Sequence, residues 1–298
     1  MKTKSAILLI AYDRPDHFSK VLNALREESV SSFYCFVDHP VTSNEKLNIR
    51  NKDVIRLAEA VNWANVKLII RKENMGLARN LTDAVSTVLN NHDSVIVLED
   101  DCVPRRGFIS YMNYMIEAYG TDRRVRSICG YLLPVLHHKI FQSHIFLTRF
   151  CPWGWATWAD RWKDFILPLG NALAALPSFA AKIESVGEDV KDYCSDEYFL
   201  DPKAEIWSLS WIITHLRDAS LCIYPSCSLI NNIGFDGSGV HSSVTSAFDL
   251  ATLSESDDLR NSNWQHLSPY CDVVLNQDAL DYMNKFSTHS MRLRMRNK

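Results

Sequence analysis

The sequence predicts an α/β fold, a Rossmann-like and mostly parallel sheet with helices on both faces. Three observations predict it. Four short apolar runs recur through the first hundred residues, the segments between them carry apolar residues at helical spacing, and each run gives way to polar or charged residues. At 298 residues, 47% hydrophobic and 22% charged, the chain is long enough and ordinary enough in composition to bury a large core.

Ala6-Ile7-Leu8-Leu9-Ile10-Ala11 is uninterrupted apolar, as expected of a strand buried on both faces. Phe18, Val21, Leu22 and Leu25 follow at helical spacing, with Asp16 near the expected cap. Phe33 to Val37 reads as the second strand, ending at Asp38, and Leu47, Val54, Ala58 and Val61 share one face of the next helix. Val66 to Ile70 is the third strand, and Leu77, Leu81, Ala84, Val85 and Val88 mark the third helix. The fourth strand, Ser94 to Leu98, runs straight into Glu99-Asp100-Asp101. This order implies parallel strands with ligands at their carboxyl ends.

Beyond Pro104 the regularity fades. Phe108 to Tyr119 reads as a helix, Val125 to Cys129 as a strand, Ile206 to Arg217 as a helix, Leu221 to Tyr224 as a strand and Gly234 to Gly239 as a loop. Six of the eight tryptophans fall between residues 151 and 211. Trp155, Trp158 and Trp162 stand at i, i+3 and i+7, a stripe suited to core packing. Trp153 and Trp207 are then the more exposed pair, whose faces suit the C–H face of a pyranose.

The charge balance, 32 basic against 35 acidic residues for a net −3, gives no broad basic field and makes nucleic acid a poor partner. Within that balance residues 285–298 hold five basic residues and no acid, leaving −8 for residues 1–284. Met291 to Arg296 alternates with period two, so a frayed tail is the plain reading. Electrostatic docking on an anionic inner leaflet is the sharper one. The eight cysteines are scattered without a CxxC pair, as expected of reduced thiols in a cytoplasmic protein without structural zinc. No apolar run reaches the roughly 20 residues of a membrane span.

The chemistry concentrates at the strand ends. Three adjacent carboxylates at the mouth of a buried strand repel one another and lose hydration, and a divalent cation relieves both costs. Hard oxygen ligands suit Mg²⁺ or Mn²⁺, held by one or two carboxylates with the remaining positions open to phosphate. An isolated acidic turn would be solvated surface, but this one follows the fourth strand. Asp13 and Arg14 after the first strand and Asp38 after the second reach the same edge, where carboxylates can accept from a base or ribose and a guanidinium can grip phosphate. Helix capping by Asp13 or Asp16 is the alternative. Arg71 and Arg79 flank Asn74-Met75-Gly76 and offer further diphosphate partners or a solvated helix start.

Taken together, Ala11-Tyr12-Asp13-Arg14-Pro15, Asn74-Met75-Gly76-Leu77, Leu98-Glu99-Asp100-Asp101, Trp153-Gly154-Trp155-Ala156-Thr157-Trp158 and Asn232-Ile233-Gly234-Phe235-Asp236-Gly237-Ser238-Gly239 resemble the bacterial family-2-type glycosyltransferases of surface-polysaccharide clusters. More distantly they are similar to N-acetylglucosaminyltransferase I. The resemblance implies a GT-A fold over about residues 5–243 and an inverting, Mn²⁺- or Mg²⁺-dependent transfer of a hexosyl or N-acetylhexosaminyl group. The donor would be a nucleotide sugar, UDP-linked, and the acceptor a hydroxyl of a glycan or lipid-linked oligosaccharide. Residues 1–130 would form the nucleotide-sugar half, 131–250 the acceptor-side half, and 251–298 a C-terminal extension.

Carried onto this chain, the resemblance makes Asp101 the direct metal ligand, with Glu99 and Asp100 nearer the ribose and donor sugar. Ala11, Asp13, Arg14, Asp38, Arg79 and Trp153 would complete the donor site. The loop from Phe235 would close over the phosphates, with His241 a second metal ligand, although a lone His is more often simply hydrogen-bonded. The chain departs from the family at the base. Ser208 stands between Trp207 and Trp211 where relatives carry an acid, and Ser is no general base near neutral pH. Either Glu205, ranked first, or Asp201, Asp236 or Glu197 takes its place, or the chemistry needs no protein base there. Ser208 also keeps open a catalytically silent nucleotide-sugar or glycan-binding protein. A sugar-nucleotide pyrophosphorylase would require a glycine-rich loop after the first strand, which Tyr12-Asp13-Arg14-Pro15 lacks.

Overall fold

The alternation read from the N-terminal third builds half of one sheet. The computed structural model describes residues 5–41, 44–133, 136, 144–167, 169–174, 186–195, 206–238 and 272–296. Strand β1 (Ala6–Ala11) leads to helix α1 (Pro15–Glu27), β2 (Ser32–Val37), α2 (Glu45–Glu59), β3 (Asn65–Ile70), α3 (Gly76–Leu89) and β4 (Ser94–Glu99). All six residues of β1 are buried, as the apolar run predicts. β1 pairs in parallel with β2 on one side and β4 on the other, with Leu9 opposite both Cys35 and Leu98. β3 extends the parallel order beyond β2. Two crossovers step one way from β1 and the third steps back, so right-handed connections put α3 on the face opposite α1 and α2.

Helix starts follow local chemistry. Pro15 sits at the first position of α1, with Arg14 as the cap residue. Asp16 is therefore inside the first turn, where its charge complements the helix dipole, rather than at the cap. The Asn44 side chain caps α2 by accepting from the Leu47 N–H at 3.1 Å.

The rest of the chain completes the same sheet. After β5 (Cys102–Pro104) and α4 (Phe108–Ala118) come β6 (Val125–Cys129), β7 (His144–Leu147), β8 (Trp155–Trp158), α5 (Ala159–Trp162), α6 (Leu169–Ala174), α7 (Glu188–Ser195), α8 (Trp207–Arg217), β9 (Leu221–Pro225), β10 (Ile230–Asn232) and α9 (Gln277–Arg296). The order is β3-β2-β1-β4-β8-β6-β9-β7, with β8 antiparallel to both β4 and β6, and β7 antiparallel to β9 at the edge. A separate antiparallel pair joins β5 and β10, Asn232 lying opposite Cys102.

The tryptophan segment is core, by a different route from the one its spacing suggests. Trp155 and Trp158 lie in a central strand, and Trp162 in the short helix after it. An aromatic-rich strand flanked on both sides fills its faces without helical periodicity. Trp207 is buried as well, at 4% exposure, and stacks on Trp155 with ring centroids 5.4 Å apart, which corrects its expected exposure. The C-terminus differs too. Residues 277–296 are helical, begun where the Asn276 side chain accepts from the Ala279 N–H at 3.0 Å and anchored by buried Ala279, Leu280 and Met283. One buried turn seeds a helix that the alternating sequence alone would not nucleate.

Cys35, Cys102, Cys129, Cys151, Cys194, Cys222 and Cys227 are free and buried. His215 and His144 are also buried. Burial, with Arg126 nearby, pushes His215 down to about 3, and burial pushes His144 down to about 4. The folded protein thus keeps both rings neutral while the unfolded chain takes up protons below about pH 6.5. Stability is full above that pH and is lost as pH falls towards those folded values, by about 1.4 kcal/mol per pH unit for each ring. Urea unfolding of His144→Gln should therefore show an acid limb shallower by about one proton than the parent's; equal slopes would exclude this account.

Candidate functional site

The strand order reverses direction between β1 and β4, so the crevice beyond their carboxyl ends is where a ligand fits an open α/β sheet. Tyr12, Asp13 and Arg14 leave the end of β1, and Glu99, Asp100 and Asp101 leave the end of β4. The β5–β10 pair then folds residues 230–238 back over the same place, tied there by the Ile233 N–H donating to the Asp101 carbonyl at 2.9 Å.

Arg14 is the centre of the cluster. Its Nη1 donates to Asp101 Oδ2 at 2.9 Å and its Nη2 donates to Asp100 Oδ1. Asp100 is 2% exposed and also accepts from the Tyr12 N–H at 3.2 Å. Burial raises Asp100 to about 6 even though Arg14 pulls the other way. Glu99 is pushed up to about 8, first by burial and then by repulsion from Asp101 and Asp100. One guanidinium therefore faces three carboxyl groups and leaves the cluster short of positive charge.

The other expected donor residues divide. Ala11 is buried, and its carbonyl accepts from the Asp38 N–H at 3.1 Å, so it shapes the loop through its backbone. Asp13 pairs with Arg50 of α2 and caps nothing. Asp38 is 4% exposed, and its carboxylate accepts from the N–H groups of His39 (2.9 Å), Met75 (3.0 Å) and Gly76 (2.9 Å). It thereby caps the N-terminus of α3, because three converging backbone donors outcompete solvent for a buried carboxylate. Arg71 is likewise engaged, by Asn80 Oδ1 at 2.8 Å and Asp83 at 2.6 Å. Arg79 is exposed in the first turn of α3.

On the other wall, Trp153 is half-buried and meets Tyr131 and Phe235 edge-on, with centroids 4.6 Å and 5.3 Å away. Asp236 lies beside this wall, but hydrogen bonds from the Ser238 hydroxyl at 2.6 Å and N–H at 2.9 Å hold its carboxyl below the usual range. Asp201, Glu205, Glu197 and His241 lie outside the described residues.

Two roles escape the sequence reading, one at a residue it did not single out and one at a glycine it quoted only as part of a motif. His17 Nε2 faces the Ile233 carbonyl at 3.1 Å and Asp236 Oδ2 at 3.2 Å, so that nitrogen carries the proton and fastens the loop to α1. Its only signal was its place in the first turns of the helix that opens at the crevice. Gly234 is the second. A Cβ on it would stand 2.2 Å from Asp101 Oδ2, so only glycine lets the loop pass over that carboxylate.

Among the described residues no three His, Cys, Asp or Glu side chains converge as a closed metal cage. What is present fits a looser arrangement. Asp101 keeps 15% exposure, its Oδ1 accepts among the described residues only from the Cys102 thiol at 3.4 Å, and the glycine beside it carries no Cβ. A hard divalent cation could be held through Asp101 with diphosphate oxygens filling the other positions.

No protein-family model and no curated protein matches the sequence. Among solved structures the chain is similar to a mannosyltransferase from Pyrobaculum calidifontis in complex with GDP-Man and Mn²⁺, at 13% identity and a TM-score of 0.40 over 73% of this chain and 74% of that one. It is also similar to a UDP-glucose pyrophosphorylase from Acinetobacter baumanii, at 10% identity and 0.39 over 77% and 88%. A UDP-glucose pyrophosphorylase complexed with UDP-glucose gives 8% and 0.36 over 74% and 90%. At identities this low the likeness is one of chain path alone.

Proposed function

We propose that the chain is a metal-dependent glycosyltransferase of the GT-A type, moving a sugar from a nucleotide diphosphate donor to a hydroxyl of a glycan acceptor. The observation that carries this reading is the under-compensated carboxylate cluster at the switch point of the sheet, beside an arginine and an aromatic wall. Such a crevice suits a ligand that is anionic at one end and a pyranose at the other. The loop after β1 has no glycine with which to wrap phosphates closely, which argues against a pyrophosphorylase.

In this reading Mn²⁺ or Mg²⁺ would be held by Asp101 and would stabilise charge on the departing diphosphate as a Lewis acid. Arg14 contributes a second, fixed positive charge at the same end. Trp153 offers its half-buried ring to the sugar, kept upright by Tyr131 and Phe235. The loop tied down by His17 and passing Asp101 at Gly234 limits water at the leaving group. The acceptor proton goes to a carboxylate, Glu205 on the approach to α8 ahead of Asp201 and Asp236.

A panel of UDP- and GDP-sugars, assayed for nucleotide release and glycan product with and without Mn²⁺, tests the assignment. Metal-dependent release of a nucleoside diphosphate from at least one donor is expected. Release of pyrophosphate on mixing a nucleoside triphosphate with a sugar phosphate would replace it with the pyrophosphorylase reading, and donor binding without turnover would replace it with a silent binding protein. Among the described residues no helix is long and apolar enough to cross a membrane. Contact with an anionic inner leaflet through the basic C-terminal residues is part of the proposal.

A further inference from the structure

Arg14 occupies one oxygen of each aspartate, next to Asp101 Oδ1, the oxygen open to the proposed cation. Its Nη1 lies 2.9 Å from Asp101 Oδ2, its Nη2 is on Asp100 Oδ1, and its side chain is only 17% exposed. Its position in the chain explains the reach. It caps α1 and stands three residues beyond β1, the strand that pairs directly with β4. The Asp100 carboxylate also accepts from the Tyr12 N–H, and the Asp101 backbone is tied through its carbonyl to the Ile233 N–H, whereas the guanidinium stands at the end of a long unbranched side chain.

We propose that Arg14 is a resident counter-ion which holds Asp100 and Asp101 in the ligand-free protein and is drawn off Asp101 by an incoming diphosphate, so that cation and nucleotide bind as a coupled pair. This rests on the glycosyltransferase reading of the same site. Asp100 and Asp101 with one guanidinium form a compact ion triad, and a divalent cation that arrives alone at Asp101 Oδ1 meets the guanidinium's charge on the other oxygen of the same carboxylate. A diphosphate offers Arg14 a bidentate anion in exchange and presents its own oxygens to the cation, relieving both costs together. By linkage the effect is reciprocal: whatever factor the nucleotide adds to cation affinity, the cation adds to nucleotide affinity. Arg14 is thus a positioning residue that sets the order of assembly, and its charge keeps the cation out of an empty site.

Binding measurements on the full chain test this without turnover. Mn²⁺ affinity is read by electron paramagnetic resonance of the free ion, in the absence of nucleotide and with saturating UDP or GDP. In the parent, nucleotide should tighten Mn²⁺ by roughly tenfold or more. In Arg14→Gln the nucleotide-free affinity should rise by about tenfold, and the enhancement by nucleotide should shrink to about the same extent. Arg14→Lys, which keeps the charge, should behave like the parent without nucleotide. Removing the counter-ion should also lower the melting temperature of Arg14→Gln, and Mn²⁺ alone should restore it more than it raises the parent's. Unchanged or weaker nucleotide-free Mn²⁺ binding in folded Arg14→Gln would overturn the proposal, as would failure of Arg14→Gln to fold with Mn²⁺ present while Arg14→Lys folds. A parent that binds Mn²⁺ independently of Asp101, shown by an unaffected Asp101→Asn, would instead overturn the function proposed for the site.

Discussion

Asp101→Asn should abolish metal-dependent donor binding and lower turnover by about a thousandfold or more, since a Lewis acid on the leaving group contributes several kcal/mol and each 1.4 kcal/mol is a factor of ten. The substitution is nearly isosteric. It should leave the carbonyl bond to Ile233 and the Arg14–Asp100 pair in place, so the far-ultraviolet circular dichroism should not change. What disappears is the anionic oxygen pair at a carboxylate of the cluster that keeps appreciable exposure and an oxygen free of Arg14. Calorimetric titration with UDP or GDP, with and without Mn²⁺, reads the effect directly. Tight, metal-dependent nucleotide binding surviving in the variant would refute the assignment of Asp101 and of the reaction class with it.

Arg161→Met is expected to cost about 3–5 kcal/mol of stability, the second large effect. Arg161 is 2% exposed, and its guanidinium donates to the carbonyls of Val125 (3.2 Å), Tyr119 (3.2 Å), Gly120 (3.0 Å) and Asp122 (3.1 Å) and to Asp160 Oδ1 at 2.9 Å. It also lies over the Trp158 ring, 4.2 Å from its centroid. Met replaces the volume of the stem but withdraws all five guanidinium bonds; the carbonyls of Tyr119 and Asp122 keep the N–H groups of Asp122 and Val125, while a buried acceptor that loses its donor carries its desolvation cost. Arg161 fastens the turn between α4 and β6 to the end of β8, the strands that set up the aromatic wall. Urea denaturation measures the loss, with Arg161→Lys recovering part of it. A loss below about 1 kcal/mol would mean that water takes over the carbonyls.

The first half of the sheet was legible because its signals are local. Continuous apolar runs and a helical repeat between them are sufficient for β1 through β4, and the placement of Asp13, Arg14 and the acidic run at one edge follows from strand direction alone. The second half was harder because the same residues serve a different geometry. Trp155, Trp158 and Trp162 have helical spacing, yet two of them sit in a strand, since β8 is inserted between β4 and β6 and its neighbours are supplied from 60 and 30 residues upstream. A local pattern carries no information about such partners.

Within the site the same division holds. The sequence by itself determined that carboxylates and an arginine meet at the carboxyl ends of parallel strands, because alternation and strand polarity leave the loops nowhere else to go. Only the tertiary structure decided which of them face the crevice. Asp38 accepts from the backbone at the N-terminus of α3, Arg14 pairs with Asp100 and Asp101, and Asp236 accepts from Ser238. His17 and Gly234 entered from opposite ends of the chain, 217 positions apart. Each of these outcomes depends on distances of about 3 Å between residues remote in sequence, where hydrogen-bond and Coulomb energies are settled. Strand order brings groups into the same region, and the packing of that region selects among them.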